Sequence, residues 1–257
     1  MTLSTSTRVR VFLRTFLLQA GWNYDRMQHL GFAFAMLPAL RRIHKPGEPL
    51  VSAVRRHLEY FNTHPYMGAA LIGASIPLEE QVARGERRPD EVTSFKNGIM
   101  GSYGAIGDSF FWAALRPLGG VAAVALILAG AGGFGPLAFV LGYDSVALSV
   151  RGYGFFKGAA LGPLVVLRLA RLDFMGATRR IKIAAAALAG LTAALWAGWF
   201  ERSGPDLNLP DGWPAAAVAF PICVLLAGTA RRGFSPAGAA GTLAAAAAGV
   251  MAWRGWV

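Results

Sequence analysis

Cysteine and acidic residues are scarce in this chain, and charged side chains of either sign are few. The only cysteine, Cys223, excludes an intrachain disulfide and any metal site built on several cysteines. It lies in an apolar run, so we interpret it as a small buried hydrophobic residue. Charged residues make up 15% of the 257 residues and hydrophobic residues 54%, whereas roughly a quarter of a soluble domain is charged. This shortage of charge indicates a protein embedded in lipid.

The charge that is present is strongly basic. Lys and Arg number 25 against 14 Asp and Glu, which gives a formal net charge of +11. Such an excess is typical of proteins that bind nucleic acid or an anionic membrane surface. Because the basic residues stand beside apolar segments and no nucleic-acid motif is found, we attribute the charge to membrane topology and expect no nucleic-acid partner.

The first part of the chain alternates apolar and charged residues at short range. Residues 8–20 carry arginines on one helical side and apolar residues on the other, which predicts a basic amphipathic helix at the membrane interface. A core helix of a globular domain is the weaker alternative. The next apolar segment, Met27–Leu40, is about 14 residues long, short of the ~20 that cross a bilayer, so we expect an interfacial or re-entrant helix. Glycines spaced from Gly98 to Gly107 predict a helix break.

The second part of the chain is almost free of charge over long runs. Leu118–Val150 fits two membrane crossings joined by a glycine-rich reversal. Further predicted spans are Ile183–Phe200, Pro214–Ala230 and Pro236–Trp253. The predicted fold is therefore an all-α integral membrane protein, with amphipathic, interfacial and re-entrant broken helices in residues 1–117 and about five transmembrane helices in residues 118–257.

Charge asymmetry predicts how the chain is oriented. Basic clusters precede the span that starts at Ile183 and follow the span that ends at Ala230, whereas the loop Glu201–Trp213 between them is mainly acidic. By the positive-inside rule the basic ends face the cytoplasm and this loop lies outside. We expect a cytoplasmic N-terminus and a C-terminus outside.

Polar side chains are clustered within the apolar surroundings of the first part. Ionisable groups at membrane depth are costly and mark pathways or binding sites, although headgroup-level placement explains Glu79, Glu80 and Arg116 equally well. Amides, carboxylates, Lys and His on broken helices are typical of a sugar site that lines a cavity. The candidate substrate-binding residues are Asn62, Thr63, His64, Glu80, Lys96, Asn97 and Asp108.

Other kinds of site fit the sequence less well. His57, Glu59, His64, Glu79 and Glu80 are of metal-ligand type, but their spacing matches no usual zinc pattern. No nucleophile elbow and no phosphate-binding glycine loop is found. We expect no catalytic residue, no metal and no cofactor; a membrane metalloenzyme remains a third hypothesis.

Seven strings of residues follow one another in the first part of the chain: Gln19–Gln28, Phe34–Arg42, Arg55–Pro65, Leu78–Gln81, Lys96–Gly101, Gly107–Trp112 and Leu115–Pro117. In sequence and in order they resemble the IID subunits of mannose/fructose/sorbose-type sugar phosphotransferase systems. The resemblance covers roughly residues 10–160.

This resemblance implies a function as well as a fold. A IID chain pairs obligatorily with a IIC chain, and the heterodimers form a trimer in the bacterial cytoplasmic membrane. Cytoplasmic IIA and IIB proteins pass a phosphoryl group from phosphoenolpyruvate to the sugar, here a hexose or amino-hexose. The family's IID chain bears no phosphorylated residue, so the resemblance implies a non-catalytic subunit whose sugar contacts are shared with IIC.

The chain also departs from the family pattern. Ser102-Tyr103 stands where family members usually have Pro-Leu, and we expect the bulky Tyr103 to alter the cavity. Beyond about Leu161 the resemblance fades. These departures motivate an alternative hypothesis, a regulatory or scaffold paralogue that is impaired in transport.

Overall fold

The computed structural model describes residues 3–203, with side chains to residue 193, and all of its regular elements in that range are helices. The predicted all-α class is confirmed. The α-helices are α1 Thr5–Arg14, α2 His29–Ile43, α3 Glu48–His57, α4 Pro65–Ala83, α5 Pro89–Gly107, α6 Arg116–Leu126, α7 Phe134–Leu161, α8 Val165–Ala170 and α9 Phe174–Ser203. Short 3-10 helices cover Thr15–Leu17 and Gly162–Leu164, and π-helices cover Asp108–Leu115 and Ile127–Ala131.

The N-terminal helix α1 has the amphipathic character that the sequence predicts. Ser4 caps it, accepting a hydrogen bond from the Thr7 backbone N–H at 3.3 Å. Val11 is fully buried, and α1 packs on α2. Leu13 is largely exposed, which leaves an apolar surface of the kind that enters a membrane interface.

Helix α4 lies at the centre of the first part of the chain. It is hydrophobic all round, as a helix buried on all sides must be, and most of its residues from Pro65 to Glu79 are buried. Its contact with α7 is close because both helices place glycines there. A Cβ on Gly73 would lie 2.2 Å from the Phe155 carbonyl oxygen, and one on Gly158 would lie 2.5 Å from the Ala70 carbonyl oxygen. Small residues of this kind let membrane helices approach each other.

Two long helical stretches, Pro89–Ala131 and Phe134–Ala170, have the length and apolar composition needed to cross a membrane. The break between them confirms the predicted reversal within Leu118–Val150: Gly130 and Gly132 have φ of 93° and 51° there, a conformation that glycine adopts at little cost. The predicted span Ile183–Phe200 falls within α9. The other two lie outside the described residues, and the number of five spans stays a prediction.

The glycine-spaced segment does not break its helix, so that expectation was wrong. Helix α5 runs through Gly98 and Gly107 and continues directly into the π-helix. The physical reason is packing: a Cβ on Gly107 would lie 2.3 Å from the His64 Cβ. Here glycine permits close approach, and the continuous helix keeps its backbone groups paired.

The chain divides into two compact units. Within the described residues, the first comprises 3–120 with 136–185, and the second 121–135 with 186–203. The first unit contains the site described below. The predicted division between residues 117 and 118 stays a prediction.

Candidate functional site

A cleft of about 650 Å³ lies in the first unit, where the loop after α1, the segment before α4 and the α5–π helix meet. Its walls combine amides, a hydroxyl, one carboxylate, two indole rings and small residues. The lining residues are Gln19, Trp22, Met27, Gln28, Asn62, Thr63, Gly101, Gly104, Ala105, Asp108 and Trp112. We call this feature the cleft.

One wall of the cleft is fixed by Gln28, which is 1% exposed. Its side-chain nitrogen donates to the Thr63 carbonyl oxygen at 2.7 Å, and its side-chain oxygen accepts from the Thr63 N–H at 3.2 Å. The Gln28 backbone N–H donates to the Phe61 carbonyl oxygen at 2.8 Å. Met27, just before it, has a φ of 57°, which is unusual for a residue with a side chain. The two segments are thus joined in one defined register.

Three of the predicted residues line the cleft. Thr63 is 5% exposed, and its hydroxyl has no hydrogen-bond partner among the described residues. Asn62 and Asp108 are exposed. A buried hydroxyl without a partner is costly, and the exposed groups that a ligand in the cleft can reach are those of Asn62 and Asp108.

Two tryptophans supply the aromatic surface of the cleft. Trp22 is 42% exposed and packs edge-on against Tyr24, with ring centroids 4.7 Å apart. Trp112 is 46% exposed and packs against the His64 ring, with ring centroids 5.0 Å apart. Both rings are held on one side and open on the other, as a stacking surface for a ligand requires.

His64, another predicted site residue, lies behind this surface. It caps α4, where its Nδ1 accepts from the Tyr66 N–H at 3.4 Å, and its ring stacks on Phe111 at 4.9 Å. Its Nε2 is buried and has no partner among the described residues. Burial, with the nearby Arg151 charge, lowers the pKa of His64 to about 4. His64 is therefore neutral, and its ring packs against the side of Trp112 that faces away from the cleft.

A buried ionic cluster around Glu79 lies outside the cleft. Arg56 donates to both Glu79 carboxylate oxygens, at 2.6 and 2.7 Å. His44 and His57 each place Nε2 against the same carboxylate, at 2.7 and 2.9 Å. Burial alone would raise the pKa of Glu79, but the hydrogen bonds from Arg56, His44 and His57 hold it well below its usual range. Burial lowers the pKa of His57 to about 4.

The remaining predicted residues are not brought to the cleft. Lys96 is buried, donates to the Arg56 carbonyl oxygen and lies 5.3 Å from the centre of the Phe32 ring. Glu80 accepts from the Leu3 N–H at 3.2 Å and lines a separate depression. Asn97 is exposed on α5 and does not line the cleft. The structure thus joins Asn62, Thr63 and Asp108 and separates His64, Glu80, Lys96 and Asn97 from them.

The ligand-type residues weighed for a metal are arranged differently from a metal centre. Both oxygens of Glu79 already accept from Arg56, so its carboxylate is committed to an ion pair. Within the described residues, no group of three or more His, Cys, Asp or Glu side chains is arranged to hold a metal ion.

Comparison with known proteins decides the family. The family described as PTS system mannose/fructose/sorbose family IID component matches residues 2–197. The chain belongs to this family. The resemblance drawn from the motifs between Gln19 and Pro117 is thereby confirmed.

Individual relatives are similar over part of their length. The mannose-specific EIID component of Escherichia coli K12 is 40% identical over 154 residues, 59% of this chain and 54% of that protein. The fructose permease IID component of Bacillus subtilis is 31% identical over 188 residues, 72% of this chain and 68% of that protein. The chain thus spans about half the length of the mannose-specific relative.

Two solved structures are similar over nearly the whole chain. One, described as a membrane protein, has a TM-score of 0.73 at 28% identity and covers 100% of this chain and 97% of its own. The other, the mannose transporter ManYZ in complex with microcin E492, has a TM-score of 0.59 at 27% identity and covers 99% of this chain and 96% of its own. The IID chain described here therefore shares the architecture of membrane transport proteins.

Tyr103, the most evident departure from the family pattern, does not line the cleft. Its side chain is 4% exposed, packs in the hydrophobic core and is not among the cleft's lining residues. Tyr103 lies two positions after Gly101 and one before Gly104. Residues at these spacings lie on different faces of a helix, so Tyr103 faces away from the two glycines. Tyr103 therefore contributes no surface to the cleft, and its effect on the cavity stays a prediction.

Sequence reasoning missed Gln19, Trp22, Gln28 and Trp112 as lining residues. All four lie in the motif strings, but Gln28 contacts a backbone 35 residues away, and no local pattern announces such a partner. The two tryptophans carried a usable signal. Each stands in a motif string next to polar candidate residues, where an aromatic platform for a sugar would be needed.

Proposed function

We propose that this chain is the IID subunit of a phosphoenolpyruvate-dependent sugar transporter of the bacterial cytoplasmic membrane. With a IIC partner it forms the pathway for a hexose or amino-hexose, and the heterodimers assemble as a trimer. Cytoplasmic IIA and IIB proteins supply the phosphoryl group, and IIB transfers it to the sugar on the cytoplasmic side. The chain itself is a multi-pass, non-catalytic subunit.

The observation that carries this proposal is the composition of the cleft. Sugars are bound by hydroxyl-directed hydrogen bonds together with an aromatic face. Asn62 and Asp108 offer such hydrogen-bonding groups beside Thr63, and Trp22 and Trp112 offer the aromatic face. The two hydrogen bonds between the Gln28 side chain and the Thr63 backbone, which we call the Gln28 clamp, hold this wall of the cleft in place before a ligand binds. Such preorganisation reduces the entropy cost of binding.

Two glycines of α5 allow a sharp test of this proposal. Gly101 lines the cleft, and a Cβ added there meets nothing within 4 Å. Gly98 is one helical step earlier, is equally open to a Cβ and does not line the cleft. Both changes to leucine gain the same roughly 1 kcal/mol in helix propensity. Only Gly101→Leu places a side chain in the cleft.

The measurement is uptake of labelled mannose, fructose and sorbose by cells that express the chain with its IIC, IIA and IIB partners. We expect Gly101→Leu to lower uptake at least tenfold while Gly98→Leu stays near the native rate, at equal membrane abundance. Equal uptake by the two variants would rule out the cleft as part of the pathway. No uptake of any of the three sugars by the native complex would instead favour the regulatory or scaffold role.

A further inference from the structure

The cleft has an electrostatic character opposite to that of the whole chain. Although the chain carries 25 Lys and Arg residues, the residues that line the cleft in the described part of the chain include no Lys, Arg or His, and Asp108 is the one ionisable side chain among them. Asp108 is exposed and has no hydrogen bond or ion pair with another described side chain. An unpaired carboxylate is therefore the charge nearest to a ligand among the described residues that line the cleft.

Three buried cations near the cleft are committed to other partners. Arg56 is bound to Glu79, and Lys96 donates to the Arg56 carbonyl oxygen. Arg151 donates to the Thr15 carbonyl oxygen at 2.8 Å, and its guanidinium lies over the Phe16 ring at 4.4 Å. These contacts fix the three charges in buried positions, so none of them can swing into the cleft to neutralise Asp108.

We infer that Asp108 makes the cleft select against phosphorylated sugars, so that it accepts the sugar but rejects its phosphomonoester. This inference rests on the proposed function, since it concerns the same cleft. A phosphomonoester carries between −1.5 and −2 charges near pH 7, roughly as phosphoserine does. Its repulsion from a carboxylate in a partly dehydrated cleft weakens binding by about tenfold or more. A neutral hexose experiences no such repulsion and can donate hydroxyl hydrogen bonds to Asp108.

This discrimination reduces inhibition of the pathway by its own product. A sugar that has been phosphorylated on the cytoplasmic side competes about tenfold less effectively with fresh sugar for the cleft, so a moderate accumulation of the sugar phosphate leaves most of the cleft open to sugar. The cleft would thus stay available to incoming sugar without a separate gate for the product.

The test uses the chain purified together with its IIC partner in lipid nanodiscs. Equilibrium binding of labelled mannose, fructose and sorbose identifies the sugar that is held. The 6-phosphate of that same sugar is then used as a competitor at pH 7.5. The measured quantity is the ratio of the competitor's inhibition constant to the sugar's dissociation constant.

Three variants separate the charge of the cleft from other effects. Asp108→Asn removes the charge and keeps the shape of the side chain. Asp144→Asn is the matched control, because Asp144 is an exposed carboxylate on α7 that does not line the cleft. Asn62→Asp adds a second negative charge at the cleft's edge.

We expect the ratio to exceed about ten for the native chain and to be several-fold lower for Asp108→Asn. The ratio of Asp144→Asn should equal the native one, and that of Asn62→Asp should be higher. The native ratio should also fall as salt is raised from 50 to 500 mM, because screening weakens repulsion in an open cleft. An unchanged ratio in Asp108→Asn, with sugar binding still blocked by Gly101→Leu, would overturn this inference and leave the proposed function standing. Failure of the native complex to bind any of the three sugars would overturn both.

Discussion

Gln28 and Thr63 exchange two hydrogen bonds across 35 residues of sequence, each between the Gln28 side-chain amide and the Thr63 backbone. The pairing copies the two-bond exchange between neighbouring strands, although one partner is a side chain. It holds the wall of the cleft that carries the free Thr63 hydroxyl. Gln28 is therefore a positioning residue, and the geometry of the cleft depends on its amide.

The first prediction concerns this amide. In Gln28→Glu the carboxylate can still accept from the Thr63 N–H, but it can no longer donate to the Thr63 carbonyl oxygen. That oxygen is left facing a buried charge, a loss of about 1–3 kcal/mol. We expect the KM for sugar uptake to rise about tenfold and the unfolding temperature to fall.

The control for this change is Gln19→Glu, the same substitution at an exposed residue of the same cleft. Its unfolding temperature should stay near that of the native chain. If Gln28→Glu had native KM and native unfolding temperature, the clamp would not position the wall.

The second prediction concerns the carboxylate of Glu79, which is fully buried and bound by Arg56, His44 and His57. Glu79→Gln leaves the Arg56 charge buried without a counter-charge, which costs about 3–5 kcal/mol. We expect a marked drop in the unfolding temperature, which is measured by tryptophan fluorescence of the protein in detergent. Glu80→Gln, the half-buried neighbour, should change it by less than a quarter as much. Similar temperatures for the two variants would contradict the ionic cluster as a stabilising feature.

The third prediction is a loss of stability on mild acidification. His57 and His64 have folded-state pKa values of about 4, below the ordinary 6.5, because burial disfavours the charged ring. The unfolded chain therefore binds more protons than the folded chain below about pH 6.5. Stability is complete above that pH and falls as pH decreases toward 4, by up to roughly 1.4 kcal/mol per pH unit for each histidine.

Unfolding temperatures measured from pH 7.5 to pH 5 check this prediction. Glu79 contributes little in that range, because its unfolded carboxyl protonates only below about pH 5. His57→Gln should flatten the pH profile, since glutamine can still donate to Glu79 and does not titrate. A native profile that is level down to pH 5 would contradict the burial of neutral rings at these two positions.

Composition and local spacing predict the elements of this fold well, and its long-range contacts poorly. The amphipathic α1 and the reversal at Gly130 follow from periodicity and from glycine chemistry, which act over a few residues. The prediction for the glycines of α5 was wrong because glycine is found both at helix breaks and at close helix contacts. Only the packing partner distinguishes the two cases, and for Gly107 that partner is His64.

The candidate site shows the same limit. Asn62, Thr63 and Asp108 stand out because polar groups in apolar surroundings need a reason. Lys96 stood out on the same ground, but its reason is the Arg56 carbonyl oxygen. A sequence shows that a polar group must be satisfied, and it does not show whether a ligand or another part of the chain satisfies it.

The Glu79 cluster has a consequence for how the first unit can move. The Glu79 carboxylate of α4 binds His44 at the end of α2 and both Arg56 and His57 of α3. Lys96 links α5 to this cluster by donating to the Arg56 carbonyl oxygen. Releasing any one of these helices would strand a buried charge or a buried carbonyl. The four helices should therefore exchange their most protected amide hydrogens in a single cooperative opening, and they should travel as one rigid body whenever the subunit changes conformation.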